Sequence, residues 1–187
     1  MPAKVAIVVG AKGRGSNMVA LLAAMGRRPD LAVPHVVVAP NEGSPALTIA
    51  RTTGVRTAAS GPDLLPALAG ADYVCLAGYL KLVPLDTVAA LRGRMLNIHP
   101  ALLPAHGGQG MYGMRVHEAV LAAGDPVSGC TVHLVDEVYD RGKVLLQREC
   151  PVLPEDTPET LAARVLALEH EAYPTALFAL IEADAGR

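Results

Sequence analysis

Asn97 and His99 stand two positions apart in a short apolar segment that ends at Pro100. Side chains alternate across a strand, so a strand here places both of them on the same side. An amide donor beside an imidazole suits chemistry in which a carbonyl oxygen gains negative charge. The structural alternative is a pair of buried polar residues that ties the strand to the next loop. For an Asn-x-His taken alone, that alternative is favoured.

Residues 10–17 are a second candidate, because this glycine-rich segment follows an apolar run and precedes a helical pattern. Backbone N–H groups and the helix dipole point at a ligand in such a place, which is typical of an anion site. Ser16 stands where a Walker A loop has its lysine, and Met18 replaces the third glycine of a dinucleotide fingerprint. The pattern therefore favours simple phosphate binding over a tight turn in which Ser16 caps the helix.

Asp140 is the third candidate and lies in the turn-like sequence Val138-Tyr139-Asp140-Arg141-Gly142. Aspartates in turns commonly form hydrogen bonds with the backbone close to them in sequence. By itself, Asp140 is therefore interpreted as a structural residue.

The elements that position these residues alternate between strand and helix in the first half of the chain. Apolar runs predict buried strands, and helical patterns with Ser44 as the cap of one helix lie between them. This order predicts an α/β fold with a single doubly wound, mostly parallel sheet and helices on both faces. Ligands bind outside the carboxyl ends of such strands, where Asn97 and His99 lie. The predicted strands are 5–9, 36–38, one near Val55, 73–77 and 95–98, and the helices are 18–26, one from Pro45, 64–68 and 84–91.

The second half changes character, and no repeat or linker separates it from the first. Residues 105–113 predict a loop, and a helix at 116–123 ends at Gly124. Strands are predicted at 131–135 and 144–147, joined through a turn at 139–142. Residues 157–182 predict a long amphipathic helix that is broken or bent before Pro174. We expect residues 1–187 to form one domain.

Composition excludes several classes of function. A formal net charge of −2, with 3% aromatic residues and no Trp, gives no footprint for nucleic acid. No apolar run approaches the roughly 18 residues of a membrane span, and the N-terminus has no signal-peptide pattern. Three scattered cysteines argue against a disulfide framework. A cytoplasmic protein that acts on small molecules is therefore expected.

The candidate residues belong to a longer series of motifs. Asn97-Ile98-His99-Pro100-Ala101-Leu102-Leu103-Pro104 is followed in order by His117-Glu118-Ala119, Gly124-Asp125, Gly129-Cys130-Thr131-Val132-His133, Tyr139-Asp140-x-Gly142 and Gln147. Gly15-Ser16-Asn17 and Ala77-Gly78-Tyr79 precede it, and Arg164 and Glu169-His170-x-x-Tyr173-Pro174 complete it. The series covers nearly the whole chain and resembles the folate-dependent formyltransferases. The final helix resembles the branch that formylates glycinamide ribonucleotide in purine synthesis.

The resemblance implies a Rossmann-like fold, 10-formyltetrahydrofolate as co-substrate and no metal. Asn97, His99 and Asp140 correspond to the family's catalytic set. The amine of the acceptor attacks the formyl carbon, and Asn97 and a protonated His99 stabilise the tetrahedral oxyanion. Asp140 keeps the imidazole charged and assists proton transfer.

The resemblance also implies which residues bind each substrate. His133 is expected to support the catalytic set from its strand, and His106 to lie in a surface loop. The expected ribonucleotide-binding residues, with Glu169 on the ribose hydroxyls, are Gly15, Ser16, Asn17, Pro100 and Glu169. The expected folate-binding residues are Gly78, Tyr79, Leu80, Lys81 and Val135.

Two segments depart from the family pattern. Residues 105–114 are unusually rich in glycine and are interpreted as a variant substrate loop. Residues 58–72 are short and lack the helix extension that many relatives have before the fourth strand, so we expect the outer part of the folate site to differ from the family pattern.

Other functions and the oligomeric state stay open. A hydrolase that releases formate from the same folate shares the three catalytic residues, but we expect it to carry a further N-terminal domain. A formyltransferase for initiator aminoacyl-tRNA needs a basic C-terminal domain. A nucleotide-binding module leaves the catalytic residues without a role. A homodimer is compatible with the sequence.

Overall fold

The structure is a computed structural model that describes residues 1–186. These residues form a seven-stranded sheet and five α-helices, with a short 3₁₀ helix at Leu65–Leu68. The strands are β1 (Ala3–Val9), β2 (Ala32–Ala39), β3 (Thr57–Ala59), β4 (Tyr73–Ala77), β5 (Met95–His99), β6 (Val127–Leu134) and β7 (Val144–Pro151). The helices are α1 (Ser16–Arg27), α2 (Pro45–Thr52), α3 (Leu85–Ala90), α4 (Met114–Ala123) and α5 (Pro158–Ala185).

The sheet has the order β3-β2-β1-β4-β5-β6-β7. The strands β1 to β5 run parallel to one another, whereas β6 is antiparallel to both β5 and β7. The prediction of a mostly parallel α/β sheet is confirmed. Chain order reverses between β1 and β4, and such a switch point opens a crevice at the carboxyl ends of the strands.

Helices cover both faces of the sheet, as strand alternation requires. Val5, Ile7 and Val9 of β1 pack in a core with buried residues of α1, α2, α4 and α5. Ala6 and Val8 of the same strand pack on the other face, against residues of the 3₁₀ helix and α3. The apolar run of β1 is therefore continuous because both of its sides are buried.

The loops that follow β1 and β4 touch at the switch point. A Cβ atom on Gly10 would overlap the carbonyl oxygen of Gly78, so this approach requires glycine. Ser44 precedes α2 as predicted, but its hydroxyl donates to the carbonyl of Gly10, 2.9 Å away. Three separate loops are thereby joined above the sheet.

Helix α5 continues through Pro174, so the predicted break before this residue is wrong. Proline removes one backbone hydrogen bond of the helix. Ala172, Tyr173 and Leu177 around it are all buried, and this packing holds the helix together. Among residues 1–186, no helix is long and apolar enough to cross a membrane.

Tyr173 joins α5 to the centre of the sheet. Its hydroxyl lies 2.9 Å from the carbonyl oxygen of Leu76 and 3.0 Å from that of Leu96. These two carbonyls belong to the neighbouring strands β4 and β5 at the centre of the sheet. The contact fixes the position of α5 along the direction of the strands.

We expect Tyr173→Phe to lower the free energy of unfolding by about 1–2 kcal/mol, because it removes a buried hydrogen bond between α5 and the sheet. Tyr112→Phe makes the same chemical change on an exposed side chain and is the matched control. Urea denaturation of both variants measures the difference. Equal losses in the two variants would show that the Tyr173 hydroxyl does not stabilise the fold.

Candidate active site

A cavity of about 600 Å³ opens at the carboxyl ends of β4 and β5 and extends to the first turn of α1. Most of the residues predicted from the sequence line it. Gly15 and Ser16 are the predicted residues that stand outside the lining, at the N-terminus of α1. The predicted residues in the wall are Asn17, Gly78, Tyr79, Leu80, Lys81, Asn97, His99, Pro100, His133, Val135, Asp140 and Glu169.

Strand β5 directs Asn97 and His99 into this cavity. Leu96 and Ile98, the alternating residues of β5, pack in the core beneath α5. Alternation therefore leaves Asn97 and His99 on the opposite face, where they line the cavity. Register with β6 sets Asn97 directly opposite His133.

Asp140 lies beside both imidazoles. Its Oδ2 atom is 3.5 Å from Nδ1 of His99, and its Oδ1 atom is 3.5 Å from Nε2 of His133. The backbone N–H of Gly108 donates to Oδ2 at 2.8 Å. Asp140 has a φ of 55°, a left-handed conformation that aspartate tolerates better than most residues. This turn in the chain aims the carboxylate back at the sheet.

Two hydrogen-bond contacts fix the orientation of the His133 ring. Its Nδ1 atom donates to the carbonyl of Leu134 at 2.9 Å, and its Nε2 atom lies 3.1 Å from the side-chain amide nitrogen of Asn97. The Asn97 amide thereby has a polar partner on the neighbouring strand β6. The contact orients Asn97 and leaves the second N–H of its amide free to meet a ligand.

Burial dominates the protonation of His99. Desolvation lowers the pKa of His99 below its ordinary value, against the opposing influence of the Asp140 charge and the His106 carbonyl. Asp140 thus supports the protonated ring as expected, but in the free protein burial outweighs this support. Desolvation favours a higher pKa for Asp140, but His133, His99 and the Gly108 N–H outweigh it and lower that pKa.

The second nitrogen of His99 meets the loop after β5. Nε2 lies 2.8 Å from the carbonyl oxygen of His106. A carbonyl only accepts, so Nε2 carries the proton and Nδ1 of neutral His99 faces Asp140. His106 lies in the loop between β5 and α4, and its ring is 2.6 Å from the carboxylate of Asp125. No sequence signal marks this contact, since it joins two irregular segments.

Glu169 and Asn17 form the opposite end of the cavity. The amide of Asn17 donates to Oε2 of Glu169 at 2.6 Å. Desolvation raises the pKa of Glu169, and the hydrogen bond from Asn17 opposes this. Oδ1 of Asn17 is buried and has no hydrogen-bond partner within the described chain. A ligand with a hydroxyl or amine donor satisfies it.

The segment 105–114, which the sequence indicated as a variant substrate loop, also contributes to the cavity wall. The glycine-rich segment 108–113 forms one side, and Arg115 stacks over the ring of Tyr112 with 5.2 Å to its centroid. Buried His117 also lines the cavity. In residues 1–186, no group of three or more His, Cys, Asp or Glu is arranged to hold a metal ion.

The fold and the cavity together define the class of protein: a Rossmann-like α/β protein whose sheet edge carries an amide, two imidazoles and a carboxylate. The chain belongs to the formyl transferase family, because residues 58–177 match the family profile described as Formyl transferase.

Named relatives agree with this family. A chloroplastic phosphoribosylglycinamide formyltransferase of Vigna unguiculata is 48% identical over 144 residues. That match spans 76% of this chain but only 46% of the plant protein, so the matched region makes up less than half of this relative.

Solved structures extend the likeness to nearly the whole chain. Glycinamide ribonucleotide transformylase 1 from Symbiobacterium toebii superposes with a TM-score of 0.87 at 34% identity, covering 97% of this chain and 89% of that one. Phosphoribosylglycinamide formyltransferase from Brucella melitensis gives a TM-score of 0.86 at 38% identity, covering 97% and 96%.

We expect Asp140→Asn to lower the pKa of His99 further, because the Asp140 charge supports the imidazolium. NMR titration of the imidazole signals measures this. Asp30→Asn, on the exposed Arg28–Asp30 pair, is the control and leaves His99 unchanged. In the wild type, folding opposes protonation of His99, so its contribution to stability is lost as pH falls through the ordinary histidine range. A His99 pKa above that range would contradict the dominance of burial.

Proposed function

We propose that residues 1–187 form a formyltransferase domain that moves the formyl group of 10-formyltetrahydrofolate to the amine of 5'-phosphoribosylglycinamide in purine biosynthesis. The observation that carries the proposal is the convergence of Asn97, His99 and Asp140 on one cavity with two chemically different ends. The names of the relatives support the choice of donor and acceptor.

The reaction begins when the amine nitrogen attacks the formyl carbon and the carbonyl oxygen becomes an oxyanion. The free N–H of the Asn97 amide donates to this oxygen. Negative charge beside His99 favours its protonated form. As the oxyanion develops, the ring therefore gains the proton that burial disfavours in the free protein. The site thus stabilises the transition state more than the ground state.

Proton transfer completes the exchange. The amine loses one proton when its bond to carbon forms, and Asp140, ionised because its pKa is low, receives it through a bridging water. Asp140 passes this proton to Nδ1 of His99, which lies 3.5 Å from its Oδ2 atom, and the protonated ring gives a proton to the folate nitrogen as the bond between that nitrogen and the formyl carbon breaks. One proton is taken up and one is released, and no metal or covalent enzyme intermediate takes part.

The ribonucleotide occupies the α1 end of the cavity. Glu169 accepts hydrogen bonds from the ribose hydroxyls, and the unpartnered Oδ1 of Asn17 accepts another. Gly15, in a left-handed conformation with φ 73°, turns the chain into α1, so that the helix N-terminus meets the phosphate. Pro100 forms the wall between this end and His99.

The folate occupies the other end. Gly78, Tyr79 and the exposed Leu80 follow β4 and offer backbone polar groups and apolar contact to a flat ring. Val135 lies opposite them after β6. Lys81 stands at the rim, where it meets the acidic tail of the folate. We place the reaction in the cytoplasm, although the Vigna relative is named chloroplastic.

A hydrolase that releases formate is the leading alternative, since the catalytic residues serve either nucleophile. The Asn17–Glu169 pair favours the transferase, because a hydrolase has no need for a second polar end. Incubation with 10-formyltetrahydrofolate, with and without glycinamide ribonucleotide, separates the two. A formylated ribonucleotide is expected; rapid formate release that ignores the ribonucleotide would make the hydrolase correct.

Glu169→Ala is expected to raise KM for glycinamide ribonucleotide about ten- to a hundredfold, the effect of losing a charged hydrogen bond. KM for the folate stays nearly unchanged, because Glu169 lies at the α1 end. Glu171→Ala, on the exposed side of the same helix, is the matched control. Steady-state kinetics with each substrate varied in turn measure both constants. An equal rise in the two KM values would remove Glu169 from the ribonucleotide site.

Inorganic phosphate is expected to shift the backbone amide signals of Gly15, Ser16 and Asn17 in NMR titrations, because the N-terminus of α1 has no side-chain cap. The N-terminus of α5 is the internal control. Its capping box, formed by Thr157 and Thr160, occupies the N–H groups that an anion needs. Shifts at α5, with none at α1, would place the phosphate elsewhere.

A further inference from the structure

Two residues with strained backbone hold the two nitrogens of His99. Among the non-glycine residues of the described chain 1–186, only His106 and Asp140 have positive φ, at 52° and 55°. Asp140 faces Nδ1 of His99, and the carbonyl of His106 accepts from Nε2. Left-handed backbone is unfavourable for residues with a Cβ and persists where surrounding contacts enforce it.

Asp125 supplies the contact that enforces the conformation of His106. Its carboxylate lies 2.6 Å from Nε2 of the His106 ring, across 19 positions of sequence. Asp125 directly follows Gly124, the left-handed residue that ends α4. The rigid end of a packed helix thus holds the His106 side chain, and through it the His106 carbonyl.

The carbonyl of His106 decides which tautomer His99 adopts. With Nε2 donating to this oxygen, the lone pair of neutral His99 sits on Nδ1 and faces Asp140. If the carbonyl moved away, the proton could reside on Nδ1 and bind Asp140 instead. The ring would then present the opposite pattern of donor and acceptor to its surroundings.

The His106–Asp125 pair lies outside the substrate cavity. Both residues line a separate cavity of about 230 Å³, formed with Leu102, Ala105, Val120, Pro126, Val127 and Ser128. Neither residue lines the large cavity that contains His99. A change in this pair therefore alters the reaction through His99 and leaves both substrate-binding ends intact.

We propose that His106 and Asp125 are positioning residues, which hold the His106 carbonyl against Nε2 of His99 and fix the tautomer that gains its proton on Nδ1. The kinetic part of this proposal rests on the formyltransferase function proposed above. The tautomeric part concerns the free protein and stands independently of any reaction.

Asp125→Ala tests the proposal, with Asp125→Asn as the conservative rescue because its amide oxygen still accepts from His106. We expect Asp125→Ala to lower kcat about tenfold, the effect usual for loss of an orienting partner, with both KM values within about twofold of wild type. Asp125→Asn restores most of the loss. Asp30→Ala removes an aspartate from an exposed ion pair and is the matched control.

Nitrogen-15 NMR of the imidazoles measures the tautomer of His99 directly. Loss of a contact that only stabilises the fold would leave this tautomer unchanged. We expect a single Nε2–H tautomer of His99 in the wild type and a mixture in Asp125→Ala. The acid limb of the pH profile shifts to lower pH, because the His106 carbonyl supports the imidazolium. The titratable groups that interact electrostatically with His99 are Asp140, His133, His106 and His117.

His106→Gly provides a second variant if Asp125→Ala does not fold, since glycine accepts the positive φ without strain. An unchanged His99 tautomer and a kcat equal to that of Asp30→Ala would overturn the proposal. A wild type that forms no formylated ribonucleotide would overturn the formyltransferase function instead. The tautomer measurement would still decide the role of His106 and Asp125.

Discussion

The hydroxyl of Tyr173, shared between the carbonyls of Leu76 and Leu96, sets the geometry on which the cavity depends. Leu96 immediately precedes Asn97 of the catalytic set, and Leu76 stands two residues before Gly78 of the proposed folate site. One contact therefore joins α5 to both of the strands that lead into the cavity. Glu169 lies one turn before Tyr173 on the same helix. Its distance from the catalytic strand is therefore fixed by the same contact, through a helix that the buried Pro174 does not interrupt.

Burial and charge oppose one another throughout the site. His99 and Glu169 are almost fully buried. Burial lowers the pKa of His99 and raises that of Glu169, and both shifts favour the neutral form of the side chain. At Asp140, by contrast, the contacts with His133, His99 and the Gly108 N–H outweigh desolvation and lower the pKa. The free protein thus holds a neutral imidazole beside a carboxylate, an arrangement that becomes favourable once negative charge develops on a bound carbonyl oxygen.

Close backbone approach explains why the loops around the site contain so much glycine. A Cβ atom on Gly107 would overlap the Leu103 side chain and crowd Asp140. It would therefore displace the adjacent Gly108, whose N–H donates to the Asp140 carboxylate. Gly10 permits the analogous approach to Gly78 on the other side of the switch point. The variant loop 105–114 therefore does more than line the cavity. Its His106 carbonyl accepts from Nε2 of His99, and its Gly108 N–H holds the Asp140 carboxylate that faces Nδ1.

The sequence alone was enough for the α/β class, the order of strands and helices, and the residues now gathered around the cavity, because buried parallel strands are continuous apolar runs and ligands bind at their carboxyl ends. It also placed Asn97 and His99 on one face through simple alternation. Only the tertiary structure decided that α5 continues through Pro174, that burial outweighs Asp140 at His99, and that Asp125 holds His106. Helix packing, desolvation and contacts between distant loops depend on the summed environment of a residue in space, which no local pattern along the chain encodes.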